Sequence, residues 1–223
     1  MIGWKPIPFI FVHIPKCAGT SIEKVLIRQA TTHNDFRDFG QGERNRFWLP
    51  GTKMLQHSKL RRYQDRFSLH KYFKFAFVRN PWDRAVSQIG YLRRKIGETL
   101  FPGNDFKEHV RIYCDLKKNV LGHDLGACQY DYLLTHSGNF GVDFVGRFES
   151  LTQDFMKVCD IMGIHSNVTL PHIFNSMRTS HYSVYFDDES AGWIQKRFAR
   201  DIDHFSYSFE RLDVSHFSPI DIR

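Results

Sequence analysis

Two short and largely apolar runs stand out along the chain, at residues 9–12 and 73–78. Each run is rich in Phe, ends in Val and has the length of a buried strand in a parallel sheet. Each is followed by a turn of small or polar residues and then by apolar residues at helical spacing, such as Ile22, Val25 and Leu26 after the first. The pattern therefore predicts the order strand, turn, helix twice in succession.

The rest of the chain continues this alternation less regularly. Residues 142–148 predict a third strand, and Ser150 with Gln153 forms a capping box for a helix that ends at Gly163. Alternating strands and helices predict an α/β fold with a parallel sheet covered by helices on both faces, and we expect residues 1–223 to form a single domain. A last helix is predicted from apolar residues spaced three or four apart, namely Ala191, Ile194, Phe198, Ile202 and Phe205.

Composition limits the classes of protein to which the chain can belong. Of its 223 residues 42% are hydrophobic, so a buried core is expected and a disordered chain is excluded. No apolar run approaches the ~18 residues of a membrane span, so no integral membrane segment is expected. The net charge of +7, from 31 Lys and Arg against 24 Asp and Glu, favours an anionic partner but does not say which anion.

The four cysteines (Cys17, Cys114, Cys128 and Cys159) are too widely spaced to predict a zinc site or a disulfide framework. We therefore expect no metal. The first eight residues lack the basic segment and the apolar stretch of a secretory signal peptide, so the expected location is cytoplasmic.

The first predicted strand is followed by residues typical of an anion-binding loop. Small residues at the start of a helix let backbone N–H groups surround an anion, and the helix dipole and hydroxyl groups add to the attraction. Lys16 supplies a full positive charge, but it precedes Gly19 and so departs from the usual phosphate-binding loop of nucleoside triphosphatases. An ordinary strand-to-helix loop is the alternative. The segment consists of Lys16, Cys17, Ala18, Gly19, Thr20 and Ser21.

The second predicted strand is followed by Arg79, Asn80 and Pro81, which suit the start of a helix. Because ligands of parallel sheets bind at the carboxyl ends of the strands, Arg79 is expected at the same edge as the first loop. Arg79 and Ser87, on the helix that follows, can hold a second phosphate. A surface arginine beside an Asn-Pro cap is the common alternative for this junction alone, but the two junctions together predict a site for two phosphates.

These two junctions, in this order and at this separation, resemble the donor-binding motifs of sulfotransferases that use 3′-phosphoadenosine 5′-phosphosulfate (PAPS). Residues 11–22 are similar to the loop that binds the 5′-phosphosulfate, and residues 75–87 are similar to the strand and helix that bind the 3′-phosphate. Residues 142–149 resemble a third block of the family. The resemblance runs from about residue 9 to residue 210 and is closest to the carbohydrate branch, which includes the chondroitin and heparan sulfotransferases of sulfotransferase family 2.

The resemblance implies a P-loop-like parallel sheet flanked by helices, and transfer of a sulfuryl group from PAPS to an acceptor hydroxyl, with a saccharide as the favoured acceptor. The reaction is an in-line displacement at sulfur that releases 3′-phosphoadenosine 5′-phosphate and requires no metal. Lys16 would stabilise the charge that grows on the leaving phosphate. Gly19, Thr20 and Ser21 would hold the 5′-phosphate, and Arg79 and Ser87 would hold the 3′-phosphate. Lys16, Cys17 and Ala18 complete the residues that the resemblance assigns to donor binding.

The acceptor hydroxyl must lose a proton, and the resemblance implies a catalytic histidine between the two phosphate motifs. Histidine suits a general base near neutral pH. His57 stands in the comparable segment and is our predicted base, with His33 and His70 as weaker rivals. Heparan-type members carry a second histidine two residues earlier, where this chain has Leu55. His13 begins the phosphate loop and is expected to orient that loop.

Three further candidates rest on the family pattern. Ser176 and Arg178 follow Pro171, in a stretch that folds over the nucleotide in the family. Arg147 follows the third predicted strand and is a candidate for contact with the acceptor or the donor. An ion pair between Arg147 and Glu149 or another acidic residue is the structural alternative.

Two other functions fit the same residues less well. A kinase-like P-loop enzyme predicts a lysine after the loop glycine and an acidic magnesium ligand at a strand end, but Thr20 and Arg79 occupy those positions. A non-catalytic polyanion-binding module is compatible with the net charge, but the chain has no nucleic-acid-binding signature and no nucleic acid partner is expected. Tyrosine, lipid and small-molecule hydroxyls stay open as acceptors, and the sequence does not predict the oligomeric state.

Overall fold

The chain is divided into two compact units, the first comprising Met1–Asn80 and Leu116–Asn175 and the second Pro81–Asp115 and Ser176–Arg223. None of the described helices has the length and apolar character needed to cross a membrane. The computed structural model describes residues 7–32, 57–117, 119–121, 123–124, 126–164, 169–171 and 180–211.

The first unit contains a three-stranded parallel sheet. Strand β1 (Phe9–Val12) pairs with β2 (Phe73–Val78), and β2 pairs on its other side with a strand at Phe144–Arg147, which is β5 in chain order. Residues 75–78 of β2 are all buried, as expected of a central strand in a parallel sheet. The two strands predicted from the apolar runs are confirmed, and the third is confirmed in a shorter form than residues 142–148.

Helices flank this sheet and follow its strands. Helix α1 (Gly19–Thr32) begins at the loop after β1 and buries Ile22, Val25 and Leu26, the apolar residues that predicted it. Helix α6 (Leu151–Met162) follows β5 and packs on β5 and β2. The other elements of the unit are short: α2 (Leu60–Gln64), a 3-10 helix (Leu69–Lys71), α5 (Gln129–Tyr132), and an antiparallel pair of β3 (Asn119–Val120) and β4 (His123–Asp124).

The start of α6 differs from its prediction. Ser150 precedes the helix, but its side chain does not accept a hydrogen bond from a backbone N–H of the first turn. The Ser150 hydroxyl instead donates to Oδ2 of Asp154 at 2.7 Å. The predicted capping box with Gln153 is therefore wrong, because the Asp154 carboxylate offers the same hydroxyl a charged acceptor. The predicted end at Gly163 is confirmed, with a left-handed φ of 73° just after the helix.

The second unit is helical in its described part. Helix α3 (Pro81–Ile96) packs on α4 (Phe106–Asp115) and α7 (Asp188–Arg197), and α4 packs on α7. Near the start of α3, Nε1 of Trp82 donates to the carbonyl oxygen of Ala191 in α7 at 2.9 Å. The elements of this unit are α3 (Pro81–Ile96), α4 (Phe106–Asp115), α7 (Asp188–Arg197) and α8 (Ala199–Phe205), with 3-10 helices at Gly97–Thr99 and Tyr182–Tyr185.

The single helix predicted near the end of the chain is two helices, α7 and α8. Phe198 lies between them with φ of −116° and ψ of 29°, which interrupts the helical backbone. Ile194, Phe198 and Phe205 are nevertheless all buried. The prediction of one continuous helix was wrong because apolar spacing reports which side chains are buried and does not detect one residue with a different backbone conformation.

Candidate functional site

The loop between β1 and α1 contains the residues of the predicted anion site. Lys16 and Ala18 have φ values of 69° and 62°, a left-handed conformation that is uncommon for residues with a side chain. The carbonyl oxygen of Ala18 accepts the N–H groups of Ser21 at 2.9 Å and of Ile22 at 3.2 Å. Since α1 begins at Gly19, the small residues of the loop form the tight turn and the first turn of the helix, as the sequence predicts.

His13 packs against the start of α1. It is buried, with 3% of its surface exposed, and its Nδ1 lies 2.8 Å from Oε1 of Glu23. Its ring is so close to Gly19 that a Cβ atom on that residue would lie 2.0 Å from Cδ2 of His13. The close approach of this ring therefore explains why a glycine stands at the start of the helix.

His57 lies next to His13. The centroids of the two imidazole rings are 4.6 Å apart, and the rings meet edge to face at an interplanar angle of 75°. His57 is half-buried and has a φ of 59°. Through His13, the predicted base is thus brought close to the start of α1.

The rivals of His57 are placed differently. His70 is exposed in the 3-10 helix before β2. His33 and Leu55 lie outside the described residues. Of the histidines between the two motifs that the structure describes, His57 is therefore the one in contact with the loop through His13.

Arg79 follows β2 directly and is buried, with 5% of its surface exposed. Its Nη1 donates to the carbonyl oxygen of Lys16 at 3.1 Å. The carbon at the centre of its guanidinium group lies 3.8 Å from the ring centroid of Phe148, a cation–π contact that holds the plane of the group. The loops after β1 and β2 therefore meet directly, as predicted for the carboxyl edge of a parallel sheet.

Gln129, the first residue of α5, also joins these two loops. Its side chain is fully buried, and its Oε1 accepts from the backbone N–H of Arg79 at 2.8 Å and from Sγ of Cys17 at 3.2 Å. Its Nε2 donates to the carbonyl oxygen of Arg79 at 2.8 Å. The sequence does not predict a role for this residue, because none of its neighbours along the chain indicates contacts with Cys17 and Arg79.

The end of β5 is held by two carboxylates. Oε1 of Glu149 accepts from the backbone N–H of Asn80 at 2.6 Å, and Oδ2 of Asp154 accepts from the backbone N–H of Arg147 at 2.9 Å. Burial raises the pKa of Asp154, but hydrogen bonds from Lys157, Ser150 and the Arg147 backbone outweigh it and hold the pKa below its ordinary value. Asp154 therefore stays ionised and fixes the backbone at the third strand end.

Some of the remaining candidate site residues lie outside the described part of the chain. Ser87 is half-buried in α3, which belongs to the second unit. Ser176 and Arg178 lie outside the described residues. Arg147 is the last residue of β5 and is half-buried.

Replacing Gly19 tests the close approach of His13. Gly19→Ala is expected to destabilise the protein by about 1–3 kcal/mol, because the added methyl group overlaps the buried imidazole ring. The measurement is the midpoint of urea unfolding of the variant and of the wild type. A double variant in which His13→Ala accompanies Gly19→Ala should recover part of this loss, because the overlapping ring is gone.

Gly192→Ala is the matched control for this substitution. Gly192 lies in α7, and a Cβ atom there meets nothing within 4 Å. Alanine is preferred to glycine within a helix, so this variant is expected to be more stable than the wild type by about 0.5–1 kcal/mol. A Gly19→Ala variant as stable as the Gly192→Ala variant would contradict the packing described for His13.

Comparison with known protein families gives a match over most of the chain. A sequence model described as "Sulfotransferase family" matches residues 5–208. The matched range includes both strand-end loops and runs through segments of both units. No curated protein matches the chain with significant similarity.

Proposed function

The chain belongs to the sulfotransferase family, and from this premise we propose that it transfers a sulfuryl group from PAPS to an acceptor hydroxyl, favouring that of a carbohydrate. The observation that carries the proposal is the hydrogen bond of 3.1 Å from Arg79 Nη1 to the Lys16 carbonyl. This hydrogen bond joins the two loops that would bind the two phosphates of the donor. Because the family match runs through both units, we further propose that they form one catalytic domain.

The donor's 5′-phosphate is assigned to the start of α1. The N–H groups of Ser21 and Ile22 already bond to the Ala18 carbonyl, so the anion would be met by the N–H groups of Gly19 and Thr20. The hydroxyls of Thr20 and Ser21 are both on half-buried residues and would add further donors. Cys17 and Ala18 would contribute through the shape of the turn, since the Cys17 thiol is directed to Gln129.

The 3′-phosphate is assigned to Arg79 and Ser87, as the family pattern implies. A guanidinium group presents a planar set of donors that suits a phosphate. The contact of Arg79 with Phe148 supports the assignment, because it restricts the orientation of the guanidinium group before any ligand arrives. Ser176 and Arg178 are retained as further donor-binding residues, and Arg147 as a residue that contacts the acceptor.

The chemistry assigned to this chain's residues is a displacement at sulfur. A bond forms between the acceptor oxygen and sulfur, and the bond between sulfur and the oxygen of the 5′-phosphate breaks. His57 accepts the proton of the acceptor hydroxyl, and Lys16 stabilises the electron pair that leaves with the phosphate. Both side chains belong to the first unit, and neither role calls for a metal.

The acceptor is proposed to be a carbohydrate on the likeness to the carbohydrate branch of the family. The net charge of +7 is compatible with an acidic saccharide. Incubation with PAPS that carries a radiolabelled sulfuryl group, in the presence of glycans, tyrosine peptides, lipids and small alcohols, distinguishes the acceptor classes. Label appearing only on the non-carbohydrate acceptors would overturn this part of the proposal.

Arg79→Ala tests the donor site directly. The variant is expected to bind 3′-phosphoadenosine 5′-phosphate about 10- to 100-fold more weakly than the wild type, because a hydrogen bond to a charged group contributes about 1.5–3 kcal/mol. Arg79→Lys keeps the charge but loses the planar group of donors, so an intermediate affinity is expected. The measurement is calorimetric titration of each variant with the nucleotide.

Arg61→Ala, which removes an exposed arginine of α2, is the matched control and should bind as the wild type does. Thermal melting of every variant checks the fold, since Arg79 is buried and Arg61 is not. A folded Arg79→Ala variant with wild-type affinity for the nucleotide would reject the proposed donor site.

A further inference from the structure

Gln129 is a fully buried polar residue whose side chain lies between the two loops of the proposed donor site. A primary amide carries a donor and an acceptor side by side, as a peptide group does. Gln129 uses both in hydrogen bonds with the backbone of Arg79. The Arg79 N–H donates to Oε1 at 2.8 Å, and Nε2 donates to the Arg79 carbonyl oxygen at 2.8 Å. It therefore holds the backbone of Arg79 in the way a residue of a neighbouring strand would.

The same amide also reaches the first loop. Oε1 of Gln129 accepts a second hydrogen bond, from Sγ of Cys17 at 3.2 Å, which uses the two lone pairs of that oxygen. Cys17 is buried and lies between Lys16 and Ala18, the two residues with left-handed φ. One side chain thus fixes the turn that precedes α1 and the residue that follows β2.

The position of Gln129 is fixed by the first turn of α5. It begins α5, and the residue before it, Cys128, donates its backbone N–H to Oδ2 of Asp131 at 2.9 Å. This closes a capping box around the first turn of α5. Gln129 therefore presents its amide from a short helix with a fixed start, so its hydrogen bonds transmit a defined spacing to the two loops.

We propose that Gln129 is a positioning residue that sets the distance between the two phosphate-binding loops and so makes the site selective for a nucleotide with phosphates at both the 3′ and 5′ positions. This inference rests on the proposed function. When one ligand engages two subsites, the second contact strengthens binding only if the spacing of the subsites matches the ligand. Loss of Gln129 should therefore affect the doubly phosphorylated nucleotide more than nucleotides with one phosphate.

The test compares three ligands by calorimetric titration: 3′-phosphoadenosine 5′-phosphate, which is the bisphosphate, 5′-AMP and 3′-AMP. In the wild type, the bisphosphate is expected to bind more tightly than either monophosphate. Gln129→Met, which has a similar length but no amide, is expected to weaken bisphosphate binding about tenfold while changing monophosphate binding by less than about threefold. The ratio of these affinities is the readout, because a residue with a merely structural role would not change it.

Two further variants keep the test decisive. Gln129→Asn retains the amide but withdraws it by one methylene group, so it should fold and show the same selective loss. Gln153→Met removes an exposed glutamine of α6 and should leave all three affinities unchanged. Thermal melting of each variant verifies that the folded state is present during the titrations.

The outcomes separate this inference from the proposed function. If the wild type binds the bisphosphate no better than 5′-AMP, the proposed two-phosphate site itself is wrong. If the wild type has this preference but the Gln129 variants lose affinity for all three nucleotides equally, or for none, then the spacing role of Gln129 is rejected. Selective loss of bisphosphate binding supports it.

Discussion

Lys16→Ala is expected to lower the turnover number for sulfuryl transfer about 10²- to 10³-fold, the usual effect of removing one group that stabilises developing charge in a transition state. The backbone of Lys16 is fixed by its left-handed φ of 69° and by the hydrogen bond from Arg79 to its carbonyl oxygen. Its side chain therefore extends from a backbone position that these two features define, in the loop proposed to bind the leaving phosphate. Nucleotide binding should weaken to a smaller extent than turnover.

The measurement is transfer of labelled sulfuryl groups under saturating donor, in the wild type and in two variants at this position. Lys16→Met keeps the aliphatic part of the side chain and removes the charge, so it should lose about as much activity as Lys16→Ala. Lys24→Ala removes an exposed lysine of the neighbouring helix and should be as active as the wild type. A Lys16→Met enzyme within a few-fold of the wild type would show that the charge has no part in the reaction.

His57→Ala is expected to lower turnover about 10²- to 10⁴-fold while leaving the affinity for 3′-phosphoadenosine 5′-phosphate nearly unchanged. A general base acts on the acceptor and makes no contact with the two phosphates, so its loss should separate turnover from nucleotide binding. The structural support is the contact of His57 with His13, at 4.6 Å between ring centroids, and the hydrogen bond of His13 to Glu23 at 2.8 Å. These contacts restrict the position of the His57 ring.

Two other histidines make this result interpretable. His136→Ala removes an exposed histidine that pairs with Asp65 at 2.6 Å, and it should retain full turnover. His70→Ala removes the exposed rival candidate. If His57→Ala keeps its activity, or if His70→Ala loses it instead, the assignment of His57 as the base is incorrect.

Local elements were predicted well where the signal is itself local. The bounds of β1 and β2 follow from two buried apolar runs, and the start of α3 follows from Pro81, whose fixed φ suits the first position of a helix. Phe198 shows the limit of such reasoning. Its side chain is buried as the spacing requires, but its backbone separates α7 from α8.

The sequence predicts a candidate site residue most readily when the residue type alone indicates its chemistry. Lys16 and Arg79 are cations at strand ends, so their charge and position together predict a binding role. Gln129 carries no charge and begins a helix of four residues, so neither charge nor periodicity singles it out. Its partners Arg79 and Cys17 are 50 and 112 positions away along the chain, a separation that no local pattern bridges.

The sequence by itself determined the order of strand, loop and helix and the cations at the two strand ends, and these cations predict an anionic ligand. These properties depend on residue type and on neighbours along the chain. Only the tertiary structure decided that Arg79 reaches the Lys16 carbonyl, that the His13 ring occupies the space beside Gly19, and that His57 contacts His13. Distances of this kind are set by the parallel register of the strands and by side-chain packing, which bring together residues that the sequence keeps apart.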